Sequence, residues 1–252
     1  MFLQELKYRN IELFVFGIVC LVLACLFLIL SYTSSTQVNG TNAWFKPFKF
    51  AASTFFYSWT MAWFCSYLPQ FNTSRFSWAV IILLGFEIVY ITLQAFRGKT
   101  SHFNVGTPFY SFMYSMMAIA ATAVSIYTAY IAFLFFQNTF PELPNYYVWA
   151  IRLSLVMFVI FSLEGFVMGS RLTHTVGAVH EGRSLPILGW SLKYGDLRVS
   201  HFFGMHAIQI LPLLSFYFLR NTSLTIGASI LYFGFTAYTL IQALQAKAFF
   251  RF

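Results

Sequence analysis

Seven long apolar stretches, near residues 11–32, 50–68, 76–96, 108–136, 147–169, 200–219 and 223–246, leave this chain few ways to fold. Each holds about 20 residues or more, enough to cross a hydrocarbon core of roughly 30 Å as a helix. In lipid every backbone N–H and C=O needs an internal partner, so a helix bundle is the expected answer. Charged residues make up only 9% of the chain, against about one-quarter in soluble domains. The sequence therefore predicts an all-α, polytopic transmembrane helix bundle of seven helices. It predicts one helical domain over residues 1–252, with a longer polar loop at 170–199. The first stretch exceeds a signal-peptide core and no small-residue cleavage site follows it, so it is expected to be retained.

Charge gives the orientation. Lys7, Arg9, Arg75, Arg152 and Arg220 fall on the side that holds the N-terminus. Lys46, Lys49, Arg97, Lys99, Arg171, Arg183, Lys193, Arg198, Lys247 and Arg251 fall on the other. Ten against five predicts the second side in the cytoplasm and the N-terminus outside. The net charge of +8 reads as this topology signal plus attraction to anionic lipid headgroups, not as a nucleic-acid surface. Cys20, Cys25 and Cys65 lie inside apolar runs and read as packing residues. No internal repeat, low-complexity tract or domain linker is evident.

The polar clusters gather on the second side, in Asn42–Phe50, Phe96–Asn104, Leu163–Gly177 and Gly195–Gln209. In the third helix Glu87, Tyr90, Gln94 and Arg97 are spaced three, four and three apart and share a face. A carboxylate at the depth of Glu87 is expensive unless paired or protonated, and marks a functional interior. The second helix opens with Lys46, Lys49, Ser53 and Tyr57. Lysines beside Trp44 commonly snorkel, and Lys49 is the better functional candidate because it continues into the polar stripe. Glu164, Met168 and Arg171 share a face of the fifth helix, with His174 just beyond. The sixth opens with Asp196, Arg198, His201 and His206.

These residues give the expected site. Glu87, Glu164 and Asp196 are candidate catalytic or proton-delivering acids. His102, His174, His201 and His206 are candidate haem or metal ligands, since neutral imidazole ligates both. Lys49, Arg97, Arg171 and Arg198 are candidate binders of an anion, a propionate or a headgroup. Glu87, Arg97, His102, Glu164, Arg171, His174, Asp196, Arg198, His201 and His206 are expected to line one pocket opening to the second side. His206, flanked by Gly204, is expected to sit beside room for a bulky group, whereas His180 reads as a loop residue. His201 and His206, five apart, do not easily grip one metal together. No HExxH, P-loop or dinucleotide fingerprint occurs, so zinc-protease, ATP and NAD chemistry find no support. The last helix has no mid-membrane lysine, which disfavours retinal.

At NAWFKPFKFAAS, RGKTSHFN, LEGFVMGSRLTHTVG and GDLRVSHFFGMHAIQILP the chain resembles an uncharacterised family of bacterial polytopic inner-membrane proteins. The resemblance implies a bacterial inner-membrane location and no activity. From the residues, the leading expectation is a haem- or metal-binding, redox-related protein. The alternatives are a proton-coupled carrier of a small molecule or ion, a lipid-modifying enzyme, and a non-catalytic helper subunit. The apparent lack of a repeat weighs against the carrier.

Overall fold

The computed structural model describes residues 2–178 and 183–250. The first long helix, α2 (Ile11–Thr33), follows a short α1 (Phe2–Arg9). A hairpin, β1 (Gln37–Val38) with β2 (Thr41–Asn42), leads to α3 (Phe45–Cys65), α4 (Thr73–Phe96) and α5 (Pro108–Gln137). Next come α6 (Asn145–Ser162) and α7 (Glu164–Arg171), then a second hairpin, β3 (Thr175–Val176) with β4 (Gly195–Asp196). The chain ends with α8 (Arg198–Leu214), a π-helical turn at Ser215–Leu219, and α9 (Thr222–Leu244).

The boundaries follow local chemistry. Asn10, Asn72 and Asn221 stand before α2, α4 and α9, and each side-chain oxygen accepts the N–H three residues on. An N-cap of this kind satisfies one of the orphan donors of a helix start. Pro47 sits in the first turn of α3, where its missing N–H has no cost. Arg152 reaches from α6 to the far end of α5, donating to the carbonyls of Phe135 at 2.8 Å and Asn138 at 3.1 Å. A guanidinium there meets the negative end of the helix dipole.

Six helical stretches are long and apolar enough to cross a membrane: Ile11–Thr33, Thr73–Phe96, Pro108–Gln137, Asn145–Arg171, Arg198–Leu219 and Thr222–Leu244. The protein thus has the helical make-up of a multi-pass membrane protein. The expected count was seven. The difference is α3, which is 21 residues long but carries Lys46, Lys49 and several hydroxyls. The expected fifth helix is interrupted at Leu163, between α6 and α7, within the stretch Asn145–Arg171.

The chain divides into two compact units, Met1–Val124 and Ser125–Phe252. Taken separately, the two have the same internal plan. Each has a long helix, a hairpin, a second helix and a third. In the first hairpin Gln37 faces Asn42 and Val38 faces Thr41; in the second Thr175 faces Asp196 and Val176 faces Gly195. Ala43 donates its N–H to the Thr36 carbonyl at 3.0 Å, and Leu197 to the His174 carbonyl at 2.9 Å. Asn42 accepts from the N–H of Trp44 at 2.9 Å, and Asp196 from that of Arg198 at 3.1 Å.

The third helices agree as closely. Both start Asn-Thr-Ser, at residues 72–74 and 221–223, and ten residues later reach Gly85-Phe86 and Gly234-Phe235. Both end in a hook. Gln94 Nε2 bonds the carbonyl of Thr100 at 2.9 Å, and Gln242 Nε2 that of Ala248 at 2.7 Å. Gly98 and Ala246, at φ 62° and 60°, make the turn in each. The first helices bury residues in step: Leu13, Gly17, Cys20, Ala24, Phe27 and Ser31 match Ala150, Ser154, Met157, Phe161, Glu164 and Met168. This is an internal repeat of three helices, and it corrects the expectation that none exists. Helices facing lipid need only be apolar, so the two halves match in helix starts, hairpin and hooks rather than in residue identity along the helices.

Candidate functional site

The repeat gives three correspondences that organise the polar residues. Counting from Asn42 and Asp196, Lys46 occupies the place of Ser200. Counting from the shared Asn-Thr-Ser, Glu87 occupies the place of Thr236. Along the first helices, Phe27 occupies the place of Glu164. Each repeat therefore buries one glutamate that its counterpart lacks.

In the first repeat the polar face of α4 is buried as its spacing predicts. Glu87 and Tyr90 are each 5% exposed and Gln94 1%. Arg97 caps the helix and lies exposed. Glu87 Oε1 and Tyr90 Oη are buried without a hydrogen-bond partner. The charge that acts on Glu87 is the ammonium of Lys46. Lys46 and Lys49 lie one turn apart at the start of α3. His102 lies among aromatic rings, 5.5 Å from that of Phe50 and 6.1 Å from that of Tyr114.

In the second repeat Glu164 is 5% exposed and starts α7. Ser200 Oγ, fully buried on α8, donates to Glu164 Oε1 at 2.6 Å, while Oε2 has no partner. The charge that acts on this acid is the like charge of Asp196. Ser200 was absent from the expected site because a lone serine in a helix carries no spacing signal. Arg171, one turn past Met168, is exposed.

Asp196 is held from several directions. It pairs with Arg198, Nη2 to Oδ2 at 2.6 Å and Nε to Oδ1 at 2.9 Å, and accepts the N–H of Ser191 at 2.9 Å. The same guanidinium bonds the carbonyl of Gly189. Burial acts to raise the carboxyl. The Arg198 hydrogen bond and charge, nearby His174 and the Ser191 N–H outweigh it and hold the acid below the ordinary carboxylate range. Asp196 and Arg198, expected as an acid and an anion binder, thus tie the connection between β3 and β4 onto the start of α8. Trp190 seals that contact, with its ring 5.5 Å from Phe202 and 6.0 Å from Phe203.

His201 Nδ1 lies 2.7 Å from the carbonyl of Phe161. A carbonyl only accepts, so Nδ1 carries the proton and Nε2 keeps its lone pair. His206 Nδ1 lies 3.2 Å from Gln209 Oε1, with the Phe202 ring 4.4 Å away. The space expected beside Gly204 is filled: a Cβ there would collide with the Phe161 side chain. Its glycine serves close helix packing, not a bulky group. Among the described residues no three His, Cys, Asp or Glu side chains form a group that could hold a metal ion. The expected ligands His102, His174, His201 and His206 therefore do not make such a centre, while His180 lies outside the described residues. No protein-family model, curated protein or solved structure matches the chain.

Proposed function

We propose that the protein is a proton-coupled carrier of a small molecule or ion in the bacterial inner membrane, with Glu87 and Glu164 as its proton-binding groups. One observation carries this reading: each repeat buries one carboxyl in its helices with one oxygen left without a protein partner. Intramembrane acids of this kind are the usual elements of proton relays. The internal repeat removes the argument against a carrier, since internal repeats are a known transporter plan. It also supports α3 as a seventh span, because its counterpart α8 opens the apolar stretch Arg198–Leu219. The Lys and Arg balance supports the N-terminus outside, the C-terminus in the cytoplasm, and contact of Arg97 and Arg171 with anionic headgroups.

The test is proton entry into liposomes carrying the purified protein and an entrapped pH dye. Panels of amino acids, sugars and carboxylic acids are offered outside. Solute-dependent proton entry, lost in Glu87→Gln and in Glu164→Gln, supports the carrier. No solute-dependent entry in the native protein, or full entry in both variants, rejects it.

A second reading, a haem or metal redox protein, is supported by His201. Its Nδ1–H is fixed on a carbonyl and its Nε2 is left as a donor atom, the usual preparation of a ligating histidine. A Soret band or bound metal in the native protein, absent from His201→Ala, is its test.

A further inference from the structure

The guanidinium of Arg152 is fixed in place but not used up. Its Nε and Nη2 each donate to the end of α5, to the carbonyls of Phe135 and Asn138. The rings of Phe136 and Trp149 lie 5.4 and 5.3 Å from its central carbon. A guanidinium has five N–H groups, so three remain, among them the pair on Nη1. Among the described residues no carboxylate pairs with it. Glu142, the sole acid between Ser125 and Leu163, is exposed in the loop before α6.

Arg152 also lines a cavity of about 260 Å³, together with Thr139, Phe140, Pro141, Asn145 and Val148. The whole lining belongs to the second unit. The side chains of Thr139 and Asn145 make no hydrogen bond among the described residues, so a hydroxyl and an amide donor are unused there as well. The cavity thus joins one cation and two neutral donors to the apolar surfaces of Phe140, Pro141 and Val148, and no acid lines it.

We infer that this cavity binds a small organic carboxylate. Arg152 receives the carboxylate group, Thr139 and Asn145 bond its remaining lone pairs, and the apolar wall takes a short hydrocarbon tail. A half-buried cation without a counter-ion is costly, and the N–H fork that Arg152 retains matches the two oxygens of a carboxylate. Size agrees. Water takes roughly 30 Å³ per molecule in the liquid, so the space holds on the order of eight waters. That suits a chain of a few carbons and falls below the usual range for larger ligands. An inorganic phosphate would leave the apolar half of the lining uncovered, and two acyl chains would exceed it. Arg152 precedes Glu164 by twelve residues, about 18 Å at helical rise, so this site is separate from the buried acid of its repeat. The inference goes beyond the carrier reading and does not rest on transport.

Saturation-transfer NMR on the full-length protein in a carboxylate-free detergent tests it with butyrate as the probe. The native protein should give a butyrate signal that saturates with concentration. Asn145→Asp puts a negative charge on the cavity wall in the first turn of α6, where an acid suits the helix dipole and the fold is kept. It should weaken butyrate binding at least about tenfold. Arg152→Lys keeps the charge and loses the fork, and should weaken binding too. Inorganic phosphate and phosphatidylglycerol, each offered as a competitor, should displace butyrate less well than propionate does. Each variant is checked for a single size-exclusion peak. No saturable signal in the native protein, equal binding in folded Asn145→Asp, or better displacement by phosphate or phosphatidylglycerol than by propionate overturns the inference. Butyrate binding without solute-dependent proton entry in liposomes leaves the site standing and counts against the carrier alone.

Discussion

Asn42 and Asp196 hold equivalent places in their repeats, and each accepts the N–H two residues on, at 2.9 and 3.1 Å. One is an amide and the other an acid, so this bond at the helix start does not itself need a charge. What the acid adds is its pairing with Arg198 and the bond from Ser191. Asp196→Ala should therefore destabilise the second repeat by about 3 kcal/mol, as expected when a buried pair loses one member. Asp196→Asn keeps the cap and should cost roughly half as much. Chemical unfolding in detergent measures both.

Acid should act on this latch late. The Asp196 carboxyl is held below its ordinary range. Its stabilising contribution is thus fully present above the unfolded value of about 4 and is lost only as pH falls through the lower folded value. Unfolding midpoints of native protein and Asp196→Asn should differ by a constant amount above the ordinary carboxylate range and converge only as pH falls below it. A difference that vanishes near neutrality would contradict the Arg198 pairing.

Gly204 on α8 packs directly against the Phe161 side chain on α6. Gly204→Ala places a methyl against the Phe161 side chain and should cost about 1–3 kcal/mol by overpacking. Phe161→Ala is destabilising alone, yet adding it to Gly204→Ala should cost less than the sum. Additive losses in the double variant would show that the two do not share the space.

Arg152 serves two carbonyls at the end of α5. Arg152→Ala should cost about 1–3 kcal/mol by leaving them without a donor. Arg152→Lys should recover little, because an ammonium lacks the planar fork that reaches both. Thermal melts of the two variants against native protein decide this.

Gln94 and Gln242 fasten the ends of their helices in the same way. Gln94→Ala and Gln242→Ala should each lower stability by about 1 kcal/mol, with hydrogen exchange rising at 97–100 or 245–248 respectively. Exchange unchanged in one of the two would break the equivalence of the hooks.

The sequence revealed the fold where a physical period was present. Glu87, Tyr90 and Gln94, three and four apart, are buried together as that spacing requires. The ends of α2, α4, α5 and α9 lie within a few residues of the apolar stretches. What escaped was long-range. The repeat is hidden because α4 has 24 residues and α9 has 23, so the shared Gln-Ala falls one position out of step. Ser200 was missed because its meaning depends on the acid, Glu164, that another helix brings to it. The Gly204 reading failed for the same reason: a glycine leaves a gap on its own helix, and only the neighbour decides what fills it.

The two hairpins differ most in what joins their strands. In the first, Asn39 and Gly40, at φ 51° and 76°, close the turn in two residues, the geometry that suits a tight hairpin. In the second the same strands are joined by residues 177–194. The protein has thus already accepted eighteen residues at this point of its plan without disturbing the strand register on either side. The junction of Asn39 and Gly40 is therefore a ready-made splice point. A peptide epitope or a small fluorescent domain placed there should leave α2 and α3 in register and give the chain a handle on that face of the membrane.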